Sequence, residues 1–196
     1  MDSREYAQQL LSIPKEGPLV IFLDDFNWGT AKVDELTAGK LNKENKFVSY
    51  TSGEMPSDDD FDTLGHIPFI ADRSPDILMD EIAADRASKG QKTILLQDFD
   101  ISGFDTEVIV IDLLHDLRTK YGVIEAVVSQ RAESAFFAIL NAEGQVPLIP
   151  VYSRITGELF VPENLDDEFQ DELEVYMRFP KNIQAFIDVN LGVESL

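Results

Sequence analysis

The amino-acid sequence predicts an α/β fold, with a mainly parallel or mixed sheet flanked by helices and a C-terminal hairpin and helical extension. Three observations support this prediction. Short apolar runs rich in β-branched residues alternate with segments whose apolar residues recur at helical spacing. Glycine and proline separate these segments. Hydrophobic residues make up 44% of the 196, which is enough to build a core in one domain of this size.

Five strands are predicted before residue 130. They lie at Pro18–Leu23, Phe47–Thr51, His66–Ala71, Thr93–Leu96 and Val123–Ser129. Pro68 has no N–H for the ladder, so the third strand is expected at an edge of the sheet or to end irregularly. Thr93–Leu96 is a continuous apolar run led by a β-branched residue. Such a run is typical of a strand that is buried on both faces of a parallel sheet.

Helices are predicted between these strands. They lie around 3–13, 30–41, 75–89, 106–121 and 131–142. The helix at 75–89 has the clearest end signals, because Pro75 suits its first position and Gly90 follows its last turn. For the next helix a second interpretation stays open, since the β-branched run in Glu107–Ile111 also suits a strand.

The character of the sequence changes at residue 146. We therefore predict an α/β core at 1–145 and a C-terminal extension at 146–196, within one globular unit. Residues 163–174 carry seven acidic and no basic residues, and Phe169 and Leu173 still give a helical stripe. A last amphipathic segment at Asn182–Leu191 completes a helical extension that docks on the core or on a neighbouring subunit.

The extension begins with a predicted hairpin. Pro147 and Pro150 indicate that Val146–Tyr152 is an edge strand, because proline cannot donate to a central ladder. Gly157 then separates this strand from Glu158–Val161, which is expected to return beside it and close the sheet.

The charge of the chain excludes several kinds of partner. Sixteen basic and 37 acidic residues give a net charge of −21, which repels nucleic acid phosphates and anionic membranes. We therefore expect no binding to duplex DNA and no membrane partner. Four explanations of the acidity stay open: a basic protein partner, mimicry of DNA, the lining of a channel through which DNA slides, and a solvated surface that includes adaptation to salt.

The chain has no cysteine, so disulfides and cysteine-ligated metal sites are excluded. No apolar stretch reaches the length of a membrane span, and the first residues lack the basic and then apolar pattern of a signal peptide. A cytoplasmic protein is expected, or a virion protein if the chain is a phage component.

Acidic residues follow two of the predicted strands. Asp25 follows the first strand, and Asp98 and Asp100 follow the strand at 93–96. Ligands of open α/β sheets gather beyond the carboxyl ends of the strands, where these three side chains are expected to lie. Carboxylate oxygens in that arrangement suit Mg²⁺ or Ca²⁺. The sequence thus predicts a metal site at Asp25, Asp98 and Asp100.

Asp98-Phe99-Asp100 after an apolar strand resembles the Asp-x-Asp segment of Toprim domains. These domains occur in topoisomerases, primases and some nucleases, where the segment binds magnesium. The resemblance covers about ten residues, and only Asp24 or Asp25 stands where that family has a glutamate after its first strand. It implies a magnesium-dependent nuclease or other phosphoryl-transfer enzyme.

Other catalytic patterns are absent from the sequence, which contains no G-x-S-x-G, G-x-G-x-x-G or H-E-x-x-H motif. No catalytic or cofactor-binding residue is assigned. The sequence therefore favours a non-enzymatic acidic assembly or adaptor protein that self-associates or joins a larger complex. One specific form is a head–tail or tail subunit of a phage. The alternatives are the magnesium-dependent enzyme above and a DNA-mimic inhibitor.

Overall fold

A computed structural model describes residues 18–24, 35, 47–51, 66–68, 75–99 and 115–192. Within these residues the protein forms a sheet of six strands, which all pair in parallel. The strands are β1 (Leu19–Asp24), β2 (Phe47–Thr51), β3 (His66–Pro68), β4 (Thr93–Gln97), β5 (Ile124–Ser129) and β6 (Val151–Ser153). The α/β fold that the sequence predicts is confirmed, and the described sheet is parallel throughout.

The described residues include four helices with defined bounds. They are α1 (Pro75–Ser88), α2 (Ala132–Glu143), α3 (Gln170–Tyr176) and α4 (Ile183–Leu191). A short 3₁₀ helix at Asp167–Phe169 leads directly into α3, and residues 115–121 are also helical. The side chain of Asn182 caps α4 by accepting a hydrogen bond of 2.8 Å from the Ala185 amide.

The strands are arranged in the order β3-β2-β1-β4-β5-β6. The chain therefore builds outward from β1 in one direction, returns to the centre, and builds outward from β4 in the other. This is the order of doubly wound sheets, in which ligands bind beyond the carboxyl ends of the two central strands. In this protein those ends are Asp24 of β1 and the residues that follow Gln97 of β4.

The two central strands are covered on both faces. Every residue from Leu19 to Leu23, and every residue from Thr93 to Phe99, is buried. Since successive side chains of a strand point to opposite faces, helices or loops must cover both sides of the sheet. The prediction of a strand buried on both faces at 93–96 is confirmed.

β6 forms one edge of the sheet, and β3, with Pro68, forms the other. The prediction of a strand over Val146–Tyr152 was wrong in its extent, because only Val151–Ser153 is a strand. Pro147 and Pro150 lack an N–H, which explains why pairing starts after them. After a turn, Tyr152 and Leu159 form an isolated antiparallel bridge, and the hairpin stays a prediction.

The outer edge of β6 is closed by the chain that returns beside it. The Val151 carbonyl accepts a hydrogen bond of 2.8 Å from the Phe160 amide, and the Ser153 amide donates one of 2.9 Å to the Glu158 carbonyl. The Val151 amide donates to the Tyr176 hydroxyl at 3.0 Å. Backbone groups of β6 that could otherwise pair with another strand are thereby hydrogen-bonded.

The extension after residue 145 shares the core of the sheet. Tyr152 of β6 and Phe186 of α4 place their rings 5.7 Å apart. Phe136 of α2 lies 5.3 Å from the ring of Tyr176 in α3. The division at residue 145 stays a prediction. The helices expected around 3–13 and 30–41 lie outside the described residues, except for Glu35. Of the helix expected at 106–121, the structure describes residues 115–121.

Candidate functional site

Asp98 lies at the carboxyl edge of the sheet, at the point where the strand order reverses. It follows β4 directly, and its amide donates a hydrogen bond of 2.8 Å to the Leu23 carbonyl of β1. This bond continues the β1–β4 pairing by one residue. Asp98 is 3% exposed, and a carboxylate taken out of water in this way must be compensated or protonated.

Arg154 supplies that compensation. Its Nη1 lies 2.9 Å from Oδ2 of Asp98, and both side chains are 4% exposed. The second carboxylate oxygen of Asp98 accepts a hydrogen bond of 2.7 Å from the Phe99 amide. The Arg154 amide donates to the Ser129 carbonyl at 2.9 Å, which fixes the residue just after β6. Asp98 and Arg154 thus form a buried, hydrogen-bonded ion pair.

The ion pair joins two parts of the chain that are 56 residues apart. It ties the turn after the edge strand β6 to the centre of the sheet at β4. Breaking such a pair by removing one partner leaves a buried charge behind, which is far more costly than losing an exposed salt bridge. The arrangement suits a structural connection between the core and the C-terminal extension.

Of the three predicted metal ligands, Asp98 is described, whereas Asp25 and Asp100 lie outside the described residues. Among the residues that the structure describes, no three histidine or acidic side chains cluster closely enough to hold a metal ion. The metal site at Asp25, Asp98 and Asp100 stays a prediction. What the structure adds is a cationic partner, Arg154, for one of its members.

Sequence reasoning missed Arg154. One signal was present, since Val151-Tyr152-Ser153-Arg154 places a basic residue two positions after an apolar run in a strongly acidic chain. The residue that it contacts, however, is set by the position of β6 in the sheet, and that position follows from the whole topology.

Glu125 of β5 is a second buried carboxyl group, and its surroundings differ. It is 3% exposed, and neither of its carboxyl oxygens has a hydrogen-bond partner among the residues that the structure describes. Burial therefore raises its pKa from 4.5 to about 8, although the positive charge of Arg118 acts in the opposite direction. Gln97 of β4 is also fully buried, and within the described part of the chain its side-chain amide likewise has no hydrogen-bond partner.

A groove runs between α2 and the segment 160–169. It consists of two adjoining cavities of about 470 Å³ each, which share Phe137 and Asn164 as lining residues. One cavity has Leu165 and Phe169 in its walls, and the other has Phe160. These apolar side chains are only partly buried. The groove is therefore an accessible surface, and we call its partly buried apolar side chains, which are mostly aromatic, the floor of the groove.

The rim of the groove is acidic. Glu133 of α2 lies on one side, and Glu163 and Asp166 lie on the other, all three with exposed side chains. No basic residue is among the described residues that line either cavity. Glu163 and Asp166 belong to the acidic segment 163–174, which contains α3. An apolar floor with a rim of one charge is a common form of protein interaction surface.

No protein-family model, curated protein or solved structure matches this chain. Among the described residues, no helix has both the length and the apolar composition that crossing a membrane requires.

Proposed function

We propose that this protein is a non-enzymatic, acidic assembly or adaptor protein that acts by binding a basic segment of a protein partner. The observation that carries the proposal is the groove beside α2, where an apolar floor is bordered by Glu133, Glu163 and Asp166. A surface of this kind provides apolar area for affinity and charge for steering and selectivity.

The net charge of −21 adds to this support. A charge of this size attracts basic partners over distances of about the Debye length, roughly 8–10 Å at physiological salt, and accelerates their association. It also disfavours contact with nucleic acids and anionic membranes. The exposed acids are numerous at the C-terminal end of the fold, where residues 163–174 hold seven of them.

The magnesium-dependent enzyme is supported less well. It would use Asp98, and the carboxylate of Asp98 is engaged by Arg154 and by the Phe99 amide. A guanidinium at 2.9 Å supplies the positive charge that a metal ion would otherwise provide. These contacts favour a structural role for Asp98.

The test is a binding measurement with two labelled helical peptides that carry the same apolar residues on one face. One peptide has lysine and arginine on its other face, and its control has glutamate there. We expect fluorescence anisotropy to detect binding of the basic peptide at low salt, with affinity that falls as salt is raised. Failure to bind the basic peptide at low salt, or equal binding of the acidic control, contradicts the proposed function.

Self-association is a separate part of the proposal, and a phage head–tail or tail ring is its most specific form. Repulsion between chains of charge −21 predicts that any assembly becomes tighter as salt screens the charge. Light scattering after size exclusion checks this over a range of salt concentrations. A monomer at every concentration contradicts the self-associating form and leaves the adaptor form, which needs a different protein as partner.

A further inference from the structure

We propose that the groove between α2 and residues 160–169 is the docking site for a basic amphipathic helix of a partner protein. This inference rests on the proposed function and adds the secondary structure of the occupant and the way in which it fills the groove. Three features of the groove support a helical, basic occupant: a floor that is already formed, two adjoining cavities, and the charge of the rim.

The floor is held in place by aromatic packing behind it. Phe136 is fully buried, and its ring lies 5.5 Å from the rings of both Phe137 and Phe160. It also lies 5.3 Å from the ring of Tyr176. Phe137 and Phe160, which face the groove, are therefore supported by a packed cluster. A partner that binds such a preformed surface loses little affinity to ordering it.

The two cavities favour a helical occupant. They lie side by side along α2 and share Phe137 and Asn164, so they can accept two successive anchor side chains from one partner. A helix presents such anchors at positions i and i+3 or i+4 and satisfies its own backbone hydrogen bonds. An extended peptide would need backbone partners, and the adjoining edge of β6 is already closed by Phe160, Glu158 and Tyr176.

The rim decides the charge of the occupant. Glu133, Glu163 and Asp166 border the apolar floor and are exposed. Lysine or arginine beside the apolar anchors would contact these carboxylates, and arginine could also lie over the exposed faces of the phenylalanine rings. A second copy of this chain is a poor occupant, because it carries the same net charge of −21.

The experiment fills the groove without disturbing the core. Asn141 and Asn164 line the cavities and are exposed, so Asn141→Trp and Asn164→Trp each place a large ring in the groove. Ala142→Trp is the matched control, since Ala142 is the next residue of α2, is exposed, and does not line either cavity. Circular dichroism melting shows that each variant is folded.

Two probes are titrated into each protein. The first is the basic amphipathic peptide, and the second has the same charges but serine in place of its apolar anchors. We expect the wild-type protein and Ala142→Trp to bind the first probe at least about tenfold more tightly than the second, because only the first can fill the cavities. Both groove variants should lose this preference and bind the two probes equally.

The result separates this inference from the proposed function. If the wild-type protein binds the basic probes and both groove variants keep the preference for apolar anchors, the groove is not the site, although a basic partner is still bound. If Ala142→Trp also loses the preference for apolar anchors, the placement of the binding site in the groove is contradicted. If light scattering shows that the groove variants dissociate an oligomer of the wild-type protein, the occupant is a second copy, and the basic helix is ruled out.

Discussion

The carboxyl edge of the sheet and the groove beside α2 both carry acidic side chains, but these side chains stand in opposite environments. At the edge, Asp98 is 3% exposed and is neutralised by Arg154 at 2.9 Å. At the groove, Glu163 and Asp166 are exposed beside an apolar floor. The charge of the first arrangement is paired inside the protein, and the charge of the second is exposed to solvent.

The difference is a consequence of desolvation. A buried carboxylate loses its hydration and has to be paired, as Asp98 is, or protonated, as burial favours for Glu125. An exposed carboxylate keeps its hydration at little cost and can release water when a cation approaches. We therefore expect substitutions of buried acids and their partners to change stability, and substitutions at the groove to change binding.

The largest effect is expected from Arg154→Met, which removes the cation and leaves Asp98 buried without it. The free energy of unfolding should fall by about 3–5 kcal/mol, because the buried carboxylate of Asp98 loses its cationic partner. Urea unfolding followed by circular dichroism measures this change. A matched control is Lys89→Met, which breaks an exposed i,i+4 pair with Asp85 and should cost under about 1 kcal/mol.

A double variant sharpens this result. Asp98→Leu together with Arg154→Met removes both charges, so it should recover much of the stability that Arg154→Met loses. If Arg154→Met lowers the free energy of unfolding no more than Lys89→Met does, the ion pair does not connect the extension to the sheet in the way that we describe.

The second effect concerns Glu125. Its pKa in the folded protein is raised to about 8 from an ordinary value of 4.5, so the folded state keeps a proton that the unfolded chain loses in this range. The stability that this proton confers is complete below about pH 4.5. It falls steadily as pH rises from about 4.5 to 8 and is lost above that range. Relative to Glu125→Gln, the wild-type protein should lose roughly 1.4 kcal/mol of stability per pH unit inside this window.

Urea unfolding at a series of pH values, with wild type and Glu125→Gln side by side, checks the slope. Glu133→Gln serves as the control, because it makes the same change from glutamate to glutamine at an exposed position of α2. Parallel pH profiles for wild type and Glu125→Gln would show that Glu125 does not titrate as its burial requires.

A smaller effect is expected where α3 closes the sheet edge. Tyr176→Phe keeps the ring packing with Phe136 but leaves the buried Val151 amide without its hydroxyl partner. The cost should be about 1–2 kcal/mol, because a buried N–H is left unsatisfied. Tyr152→Phe is the control. The Tyr152 hydroxyl donates to the half-buried Pro180 carbonyl, which can accept a hydrogen bond from water when that hydroxyl is removed. An equal loss in both variants would contradict the special role of Tyr176.

Local signals in the sequence predicted the local parts of this fold. The helix expected at 75–89 is observed at Pro75–Ser88, because its proline start and glycine end are encoded in the residues themselves. The strand at Phe47–Thr51 has the predicted bounds, and β4 extends its prediction by one residue. Periodicity and end signals suffice where structure depends on neighbours in the chain.

Long-range features could not be predicted in the same way. The Asp98–Arg154 pair spans 56 residues and depends on where β6 joins the sheet. The groove depends on how the segment 160–169 returns beside α2, and no pattern in either segment specifies the other. The acidity of 163–174 was evident from the sequence, but its position beside an apolar floor required the structure.

The most direct test of the account compares the affinity of the basic amphipathic peptide for two charge-reversal variants. Glu163→Lys with Asp166→Lys reverses the rim, whereas Glu168→Lys with Glu174→Lys makes the same change in exposed residues that do not line the groove. We predict that the rim variant binds about tenfold more weakly than the control variant, with an unchanged melting temperature. Equal affinities in the two variants would contradict the claim that the groove is where this protein binds its partner.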